Sequence, residues 1–160
     1  MVSKTVMHIC KALMVCSLFA SFAHAKDVSA NTSMAAELKK FQGTWVMVSG
    51  EHDGKAIHEK YVKKNTITFI GDKVEIFSPH QHQEVMVAKI TKIDTSKKPY
   101  EIQWIREAGP QAGTTMNAIY EFEGPNKYKV CFDPEGKEAP KKFGTTEGSK
   151  HFWHIWKRVK

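Results

Sequence analysis

The stretch Gly43-Thr44-Trp45 decides the fold that we predict for this 160-residue chain. An amphipathic helix is predicted immediately before it, over residues 34–42, and about eight strand-like runs follow it. The first predicted strand carries Gly43 and Trp45, and the basic residue Arg158 stands at the end of the last one. This combination is typical of a β-barrel in which the first and last strands pair. The Trp45 ring then closes one end of the barrel, and the Arg158 guanidinium lies over it in a cation–π contact worth about 0.5–2 kcal/mol.

Turn-forming residues divide the rest of the chain into short runs of strand-like sequence. We predict strands over residues 44–49, 65–70, 73–77, 84–93, 100–107, 114–123, 127–132 and 151–157. Because nearly all of the connections are short, neighbouring runs are expected to pair, which favours an up-and-down meander over a Greek key. Closure of the meander also removes exposed strand edges. We therefore predict an all-β fold over residues 34–160: a lipocalin-like, up-and-down antiparallel barrel of about eight strands, capped at one end by a short N-terminal helix.

Residues 1–25 have the features of a secretory signal peptide. Lys4 supplies a positive charge, an apolar run follows over residues 12–20, and a small-x-small cleavage site ends at Ala25. The apolar run is too short for a transmembrane helix, which needs about 20 residues. We therefore predict export to the periplasm or the extracellular space, cleavage after Ala25, no transmembrane segment, and a flexible leader over residues 26–33.

Removal of this segment would leave Cys131 as the only cysteine, so that no intramolecular disulfide could form. Two interpretations of the thiol are open. Lys127 and Lys129 share a strand face with it, and nearby positive charge lowers a thiol pKa and makes it reactive. Alternatively, Cys131 is a small buried residue that packs beneath a neighbouring side chain.

Several short pieces of the chain, in their order and spacing, carry a resemblance to a known family. They are Glu37-Leu38-Lys39-Lys40-Phe41-Gln42-Gly43-Thr44-Trp45, Gly71-Asp72-Lys73, Glu107-Ala108-Gly109-Pro110 before Gly113, Ile119-Tyr120-Glu121, Lys129-Val130-Cys131-Phe132, and Gly148-Ser149 ahead of Lys157-Arg158. Over residues 36–158 the chain resembles the uncharacterised lipocalin-like domain family that is abundant in planctomycete bacteria. The resemblance implies a calycin-type β-barrel in an exported bacterial protein, a structural role for Cys131, and no established activity.

The inward-facing positions of the predicted strands are rich in aromatic residues. An eight-stranded barrel is either just filled by its side chains or holds one small ligand. With so many rings inside, we expect any cavity to be small. We predict that a ligand would lie at the open end of the barrel, bordered by Tyr100, Trp104, Tyr120, Tyr128, Phe152 and His154.

His80 and His82 are the residues to examine for a metal site, since side chains two apart on a strand face the same way. Zinc needs a third and usually a fourth ligand, and Glu84 continues the spacing. Pro79 and the neighbouring glutamines instead indicate a solvated turn, so we predict no metal and no cofactor. His154 is interpreted as a hydrogen-bonded histidine of the core or rim rather than as a haem ligand.

The sequence contains no nucleophile elbow, P-loop or dinucleotide fingerprint, and we predict no enzymatic activity. Its 24 basic residues exceed its 17 acidic ones, but they are spread through loops and are not gathered beside stacking aromatics, which argues against a nucleic-acid partner. Two functions remain for a protein expected to be a monomer. One is an exported binding module for a small apolar or amphipathic ligand. The other is a filled barrel whose loops act on an envelope protein, for instance as an inhibitor.

Overall fold

The computed structural model describes residues 33–79, 85–136 and 138–159, all within one compact unit, Ser33–Lys160. A helix, α1, occupies residues 33–41 of the described part. The elements that follow are β1 (Gly43–His52), β2 (Lys55–Ala56), α2 (Glu59–Val62), β3 (Thr66–Ile70), β4 (Lys73–Phe77), β5 (Met86–Asp94), β6 (Tyr100–Ala108), β7 (Thr115–Phe122), β8 (Lys127–Asp133) and β9 (Phe152–Arg158).

The strands form one closed antiparallel ring. Each strand from β3 to β9 pairs with its neighbour in sequence, β1 pairs with β3, and the ring closes because β9 pairs with β1. The two-residue β2 lies outside the ring and pairs only with the end of β1. The predicted all-β, up-and-down antiparallel barrel of eight strands is therefore confirmed.

The connection after β1 is more structured than the sequence indicated. Asp53 and Gly54 both have positive φ, 52° and 79°, and this tight turn lets β1 run on to His52 and pair with β2. The four-residue helix α2 then crosses toward β3, and His58 caps its first turn by accepting a hydrogen bond from the Lys60 N–H. So short a helix leaves no apolar periodicity in the sequence, and for this reason α2 was not predicted.

Helix α1 covers the end of the barrel at which β1 begins and β9 ends, which we call the closed end. Phe41 is only 1% exposed, and its ring centroid lies 4.8–5.5 Å from those of Phe69, Tyr120, Phe122 and Tyr128. Tilted and edge-on ring pairs of this kind contribute about 0.5–1.5 kcal/mol beyond the area that they bury. Aromatic side chains therefore fill the closed end of the barrel.

Trp45 lies fully buried beneath α1, and its indole N–H donates a hydrogen bond of 2.6 Å to the carbonyl oxygen of Phe41. The guanidinium carbon of Arg158 lies 4.1 Å from the centroid of the Trp45 ring, which is the geometry of a cation–π contact. Gly43, which starts β1 beside this pair, has φ of 97°, a conformation that favours glycine. The chain therefore turns from α1 into the barrel at a point where a side chain would introduce strain.

Arg158 also fastens three chain segments together at the closed end. Its guanidinium donates hydrogen bonds to the carbonyl oxygens of Lys40, at 2.7 Å, and Gln42, both at the end of α1. It donates a further bond of 3.2 Å to the carbonyl oxygen of Pro125, in the turn between β7 and β8. Cations are favourable at a helix C-terminus, where the carbonyl groups have no intrahelical partner.

Candidate functional site

The interior of the barrel is unfilled at the end opposite α1, which we call the open end. A cavity of about 340 Å³ lies there, bounded mainly by apolar side chains. Ligand sites commonly measure about 300–1,000 Å³, so this cavity matches a small molecule. Its wall includes three methionines and four phenylalanine or tryptophan residues: Met47, Met86, Met116, Trp104, Phe132, Phe152 and Trp156.

Three of the predicted pocket residues, Trp104, Phe152 and His154, line this cavity. They come from two strands that are far apart in sequence, β6 and β9, and the closed ring brings them to one chamber. Trp104 and His154 are buried, at 4% and 7% exposure, and Phe152 lies at the start of β9, where the cavity opens outward.

Tyr100, Tyr120 and Tyr128, in contrast, do not line the cavity. They lie toward the closed end, where Tyr120 and Tyr128 contact Phe41 and Tyr100 contacts Tyr120 at 5.7 Å. Alternation along a strand identifies the inward face but not the end of the barrel. Because a strand advances about 3.3 Å per residue, positions four apart on one face are separated by about 13 Å.

Arg106 is a cavity residue that the sequence analysis did not single out. It is 4% exposed, yet the hydrogen-bond acceptors that the described residues offer its guanidinium are all neutral oxygens. It donates hydrogen bonds to the side-chain oxygens of Gln111 and Thr114, the latter at 2.8 Å, and to the carbonyl oxygen of Pro134 at 3.3 Å. Burial lowers the pKa of Arg106, and no carboxylate of the described residues forms an ion pair with it.

A signal for Arg106 was nevertheless present in the sequence. On β6 it follows Tyr100, Ile102 and Trp104 at alternate positions, so the inward face of this strand ends in a cation. Charged residues are almost never fully buried unless they are paired. An arginine at an inward position of a predicted barrel strand is therefore the kind of exception that indicates a site.

His154 lies in the opposite wall and is held between aromatic rings. The rings of Phe132, Phe152 and Trp156 approach it edge-on, with centroids 5.3–5.7 Å away. Burial, with a smaller contribution from His52, lowers the pKa of His154 to about 3. The imidazole is therefore neutral in the folded protein near pH 7 and adds polarity, but no charge, to the cavity.

Some buried nitrogen atoms of the wall lack hydrogen-bond partners within the described structure. Four buried nitrogens on cavity-lining residues have no hydrogen-bond partner within the described structure: Trp104 Nε1, Arg106 Nε, His154 Nε2 and Trp156 Nε1. An indole or guanidinium nitrogen can only donate. Since most buried polar groups in native proteins are paired, this group of unpaired nitrogens is unusual for a protein interior.

Asn65 and Ser78, at the opening of the cavity, are satisfied by contrast. Ser78 donates its hydroxyl to the Asn65 side-chain oxygen, and the Asn65 amide donates to the Tyr61 carbonyl oxygen at 2.9 Å. These bonds hold α2 beside the opening, where a groove lined partly by Ile57 and Phe152 adjoins the cavity. Hydrogen bonds therefore fix the position of the residues that surround the opening of the cavity.

Cys131 lies outside the barrel interior and is completely buried. Its thiol is 3.5 Å from the carbonyl oxygen of Gly144, in the segment between β8 and β9. Burial raises the pKa of Cys131 to about 11, which leaves the thiol protonated near pH 7. These features match the interpretation of a packed structural residue and disfavour the reactive one.

The metal candidates His80 and His82 lie outside the described residues. Among residues 33–79, 85–136 and 138–159, no group of three or more His, Cys, Asp or Glu side chains is arranged to hold a metal ion.

Within the described part of the chain, none of the helices has both the length and the apolar character needed to span a membrane. Comparison with models of protein families, with curated proteins and with solved structures gave no match in any of the three.

Proposed function

We propose that this protein is an exported, non-enzymatic module that binds a small apolar or amphipathic molecule in the open end of its β-barrel. The observation that carries the proposal is the cavity of about 340 Å³, next to a closed end that aromatic rings fill. Protein interiors are normally close-packed, and unfilled volume lowers stability. A barrel that served only as a scaffold for its loops would gain stability by filling this space.

The wall chemistry supports a ligand that is apolar over most of its surface. Met47, Met86 and Met116 contribute flexible, polarizable side chains that adapt to irregular shapes. Trp104 and Trp156 add flat aromatic faces. A few polar groups set in such a wall are typical of small-molecule sites, where they fix the orientation of the ligand.

Binding is testable with a fluorescent probe of suitable size. We expect N-phenyl-1-naphthylamine to gain fluorescence when it is titrated into protein produced from the full chain. Val130 lines the cavity and is 2% exposed, so the change Val130→Phe should fill part of the space and weaken binding by about tenfold or more.

The matched control is Val48→Phe, the same change at a position on the outer face that is 45% exposed. This variant should bind the probe as the unchanged protein does. The proposal fails if the unchanged protein gives no saturable signal, or if Val130→Phe binds the probe as tightly as Val48→Phe.

Export is part of the proposal and is supported by the signal-like character of residues 1–25. We expect the protein recovered from outside the cytoplasm to begin at Lys26. Intact-mass measurement of the secreted protein checks this expectation, and a mass that includes residues 1–25 would contradict it.

The alternative proposal, a filled barrel that acts through its loops on an envelope protein, is less well supported because the open end is not filled. The resemblance to the lipocalin-like family of planctomycete bacteria is compatible with either function, since it implies a fold and no activity.

A further inference from the structure

The cavity wall contains a charge that nothing in the described structure neutralises. Among the described residues that line the cavity, Arg106 is the only cation, since His154 is neutral near pH 7. The oxygen partners of Arg106 are those of an amide, a hydroxyl and a carbonyl group. A guanidinium has five N–H donors. Three of them are used in these bonds, and Nε is buried without a partner.

Such an arrangement is costly in the absence of a ligand. Transfer of a charged group from water into an apolar surrounding carries an effective penalty of several kcal/mol unless the charge is paired. Proteins retain buried charges mainly where these are paired or functional. A negative charge brought into the cavity would offset the desolvation of Arg106 and provide an acceptor for its unused donors.

We propose that the ligand of the cavity is a small organic carboxylate, with Arg106 binding the carboxylate group and the apolar wall holding the rest of the molecule. This inference rests on the proposed ligand-binding function and narrows it to a chemical class. A carboxylate matches the donor edge of a guanidinium in charge and shape. A doubly charged phosphate would leave one charge unpaired, because the part of the lining that the structure describes contains a single cation.

The neighbouring donors favour the same class. A carboxylate has about four acceptor positions, more than Arg106 alone can occupy. The indole nitrogens of Trp104, on β6, and Trp156, on β9, are buried on residues that line the cavity and lack acceptors within the described structure. A carboxylate offers such donors more acceptor positions than a neutral carbonyl group does, and a full negative charge, whereas a cationic group offers them none.

A purely structural role for Arg106 makes a different prediction. Arg106 joins the β6–β7 turn, through Gln111 and Thr114, to the segment after β8, through Pro134. If this were its whole role, replacement would weaken the fold and would affect charged and uncharged ligands alike. A comparison of the affinities for charged and uncharged ligands therefore distinguishes the two roles, whereas a measurement of stability does not.

The test uses matched pairs of compounds that differ in charge but hardly in shape: octanoate with octanamide, and 2-naphthoate with 2-naphthamide. Isothermal titration at pH 7.5 and constant ionic strength should show that the protein binds each carboxylate about tenfold or more tightly than its amide, as expected for a hydrogen bond to a charged group. In Arg106→Met the preference should fall to about threefold or less. Lys89→Met removes the same charge from the outer face, where the Lys89 side chain is 48% exposed, and should retain the full preference.

A second measurement does not depend on the folding of Arg106→Met. The chain has two arginines, Arg106 and Arg158, so its arginine Nε–H spectrum should contain two signals, which Arg158→Lys assigns. Saturation with octanoate should shift the Arg106 signal and leave that of Arg158, at the closed end, in place. Octanamide, which brings no negative charge to Arg106, should shift the Arg106 signal clearly less than octanoate does and leave that of Arg158 in place.

The outcomes distinguish the inference from the function on which it rests. If both members of a pair bind with equal affinity, or if octanoate saturates the protein without moving the Arg106 signal, the carboxylate inference is wrong and ligand binding stands. If no compound of either pair binds and the fluorescent probe also fails, the binding function is wrong and the inference falls with it.

Discussion

At the scale of single residues, His154 shows how the barrel interior sets a protonation state. Burial among Phe132, Phe152 and Trp156, with His52 nearby, lowers the pKa of this imidazole to about 3. In the unfolded chain a histidine has a pKa of about 6.5. Between these two values the unfolded state binds a proton that the folded state does not, so stability falls as the pH falls through this window.

We therefore expect acid to destabilise the protein partly through His154. Between pH 7 and pH 5, urea unfolding should show that the unchanged protein loses about 2 kcal/mol more stability than His154→Gln, which has no imidazole to protonate. Other groups titrate in both proteins, and the comparison cancels their contribution. An equal loss of stability in the two proteins would mean that His154 does not carry this dependence.

At the scale of secondary structure, α1 depends on the barrel for its stability. Nine helical residues would be marginal in water, since isolated helices shorter than about 12–15 residues rarely persist. Besides the hydrogen bond from Trp45 to the Phe41 carbonyl oxygen, three contacts hold α1 in place. Phe41 enters the aromatic cluster, buried Glu37 accepts a hydrogen bond of 3.0 Å from the Tyr120 hydroxyl, and Arg158 binds the carbonyl groups at the helix end.

Replacement of Arg158 should therefore loosen α1 and lower global stability. Arg158→Met removes the cation–π contact with Trp45 and the hydrogen bonds to Lys40 and Gln42. We expect a loss of about 2–3 kcal/mol in urea unfolding followed by tryptophan fluorescence.

The control for this prediction is Lys157→Met, which removes an exposed cation from the neighbouring position of β9. Its stability should stay within about 0.5 kcal/mol of the unchanged protein. Similar small losses in both variants would show that Arg158 does not anchor the helix.

At the scale of the whole molecule, the fold could be predicted because its signals are local or repeated. Turn residues such as Gly71-Asp72 separate the strands, and short connections leave few ways to pair them. Closure was predicted from two residues, Trp45 and Arg158, which are register partners on β1 and β9. These signals need no knowledge of side-chain volume.

The cavity could be predicted only in part, because its position depends on volume summed over many strands. The sequence identified the inward face of β6. It did not indicate that Tyr100 lies at the closed end, whereas Trp104 and Arg106 line the cavity. Whether a barrel is filled depends on the way in which its large side chains pack between one another. The alternation of inward and outward residues along a strand carries no information about this packing. Arg106 shows that an inward charge is the more useful signal.

The pairing of β1 with β9 also has a consequence for how the protein is made. Lys40 and Arg158, which meet at the closed end, are separated by 118 residues of sequence. A ribosome synthesises β1 first and β9 last, so for most of synthesis the chain can form at most an open sheet with two unpaired edges, which are prone to aggregation. The barrel therefore cannot pair its two edges until β9 has been made. The cavity wall is also incomplete until then, because β9 contributes Phe152 and His154 to it.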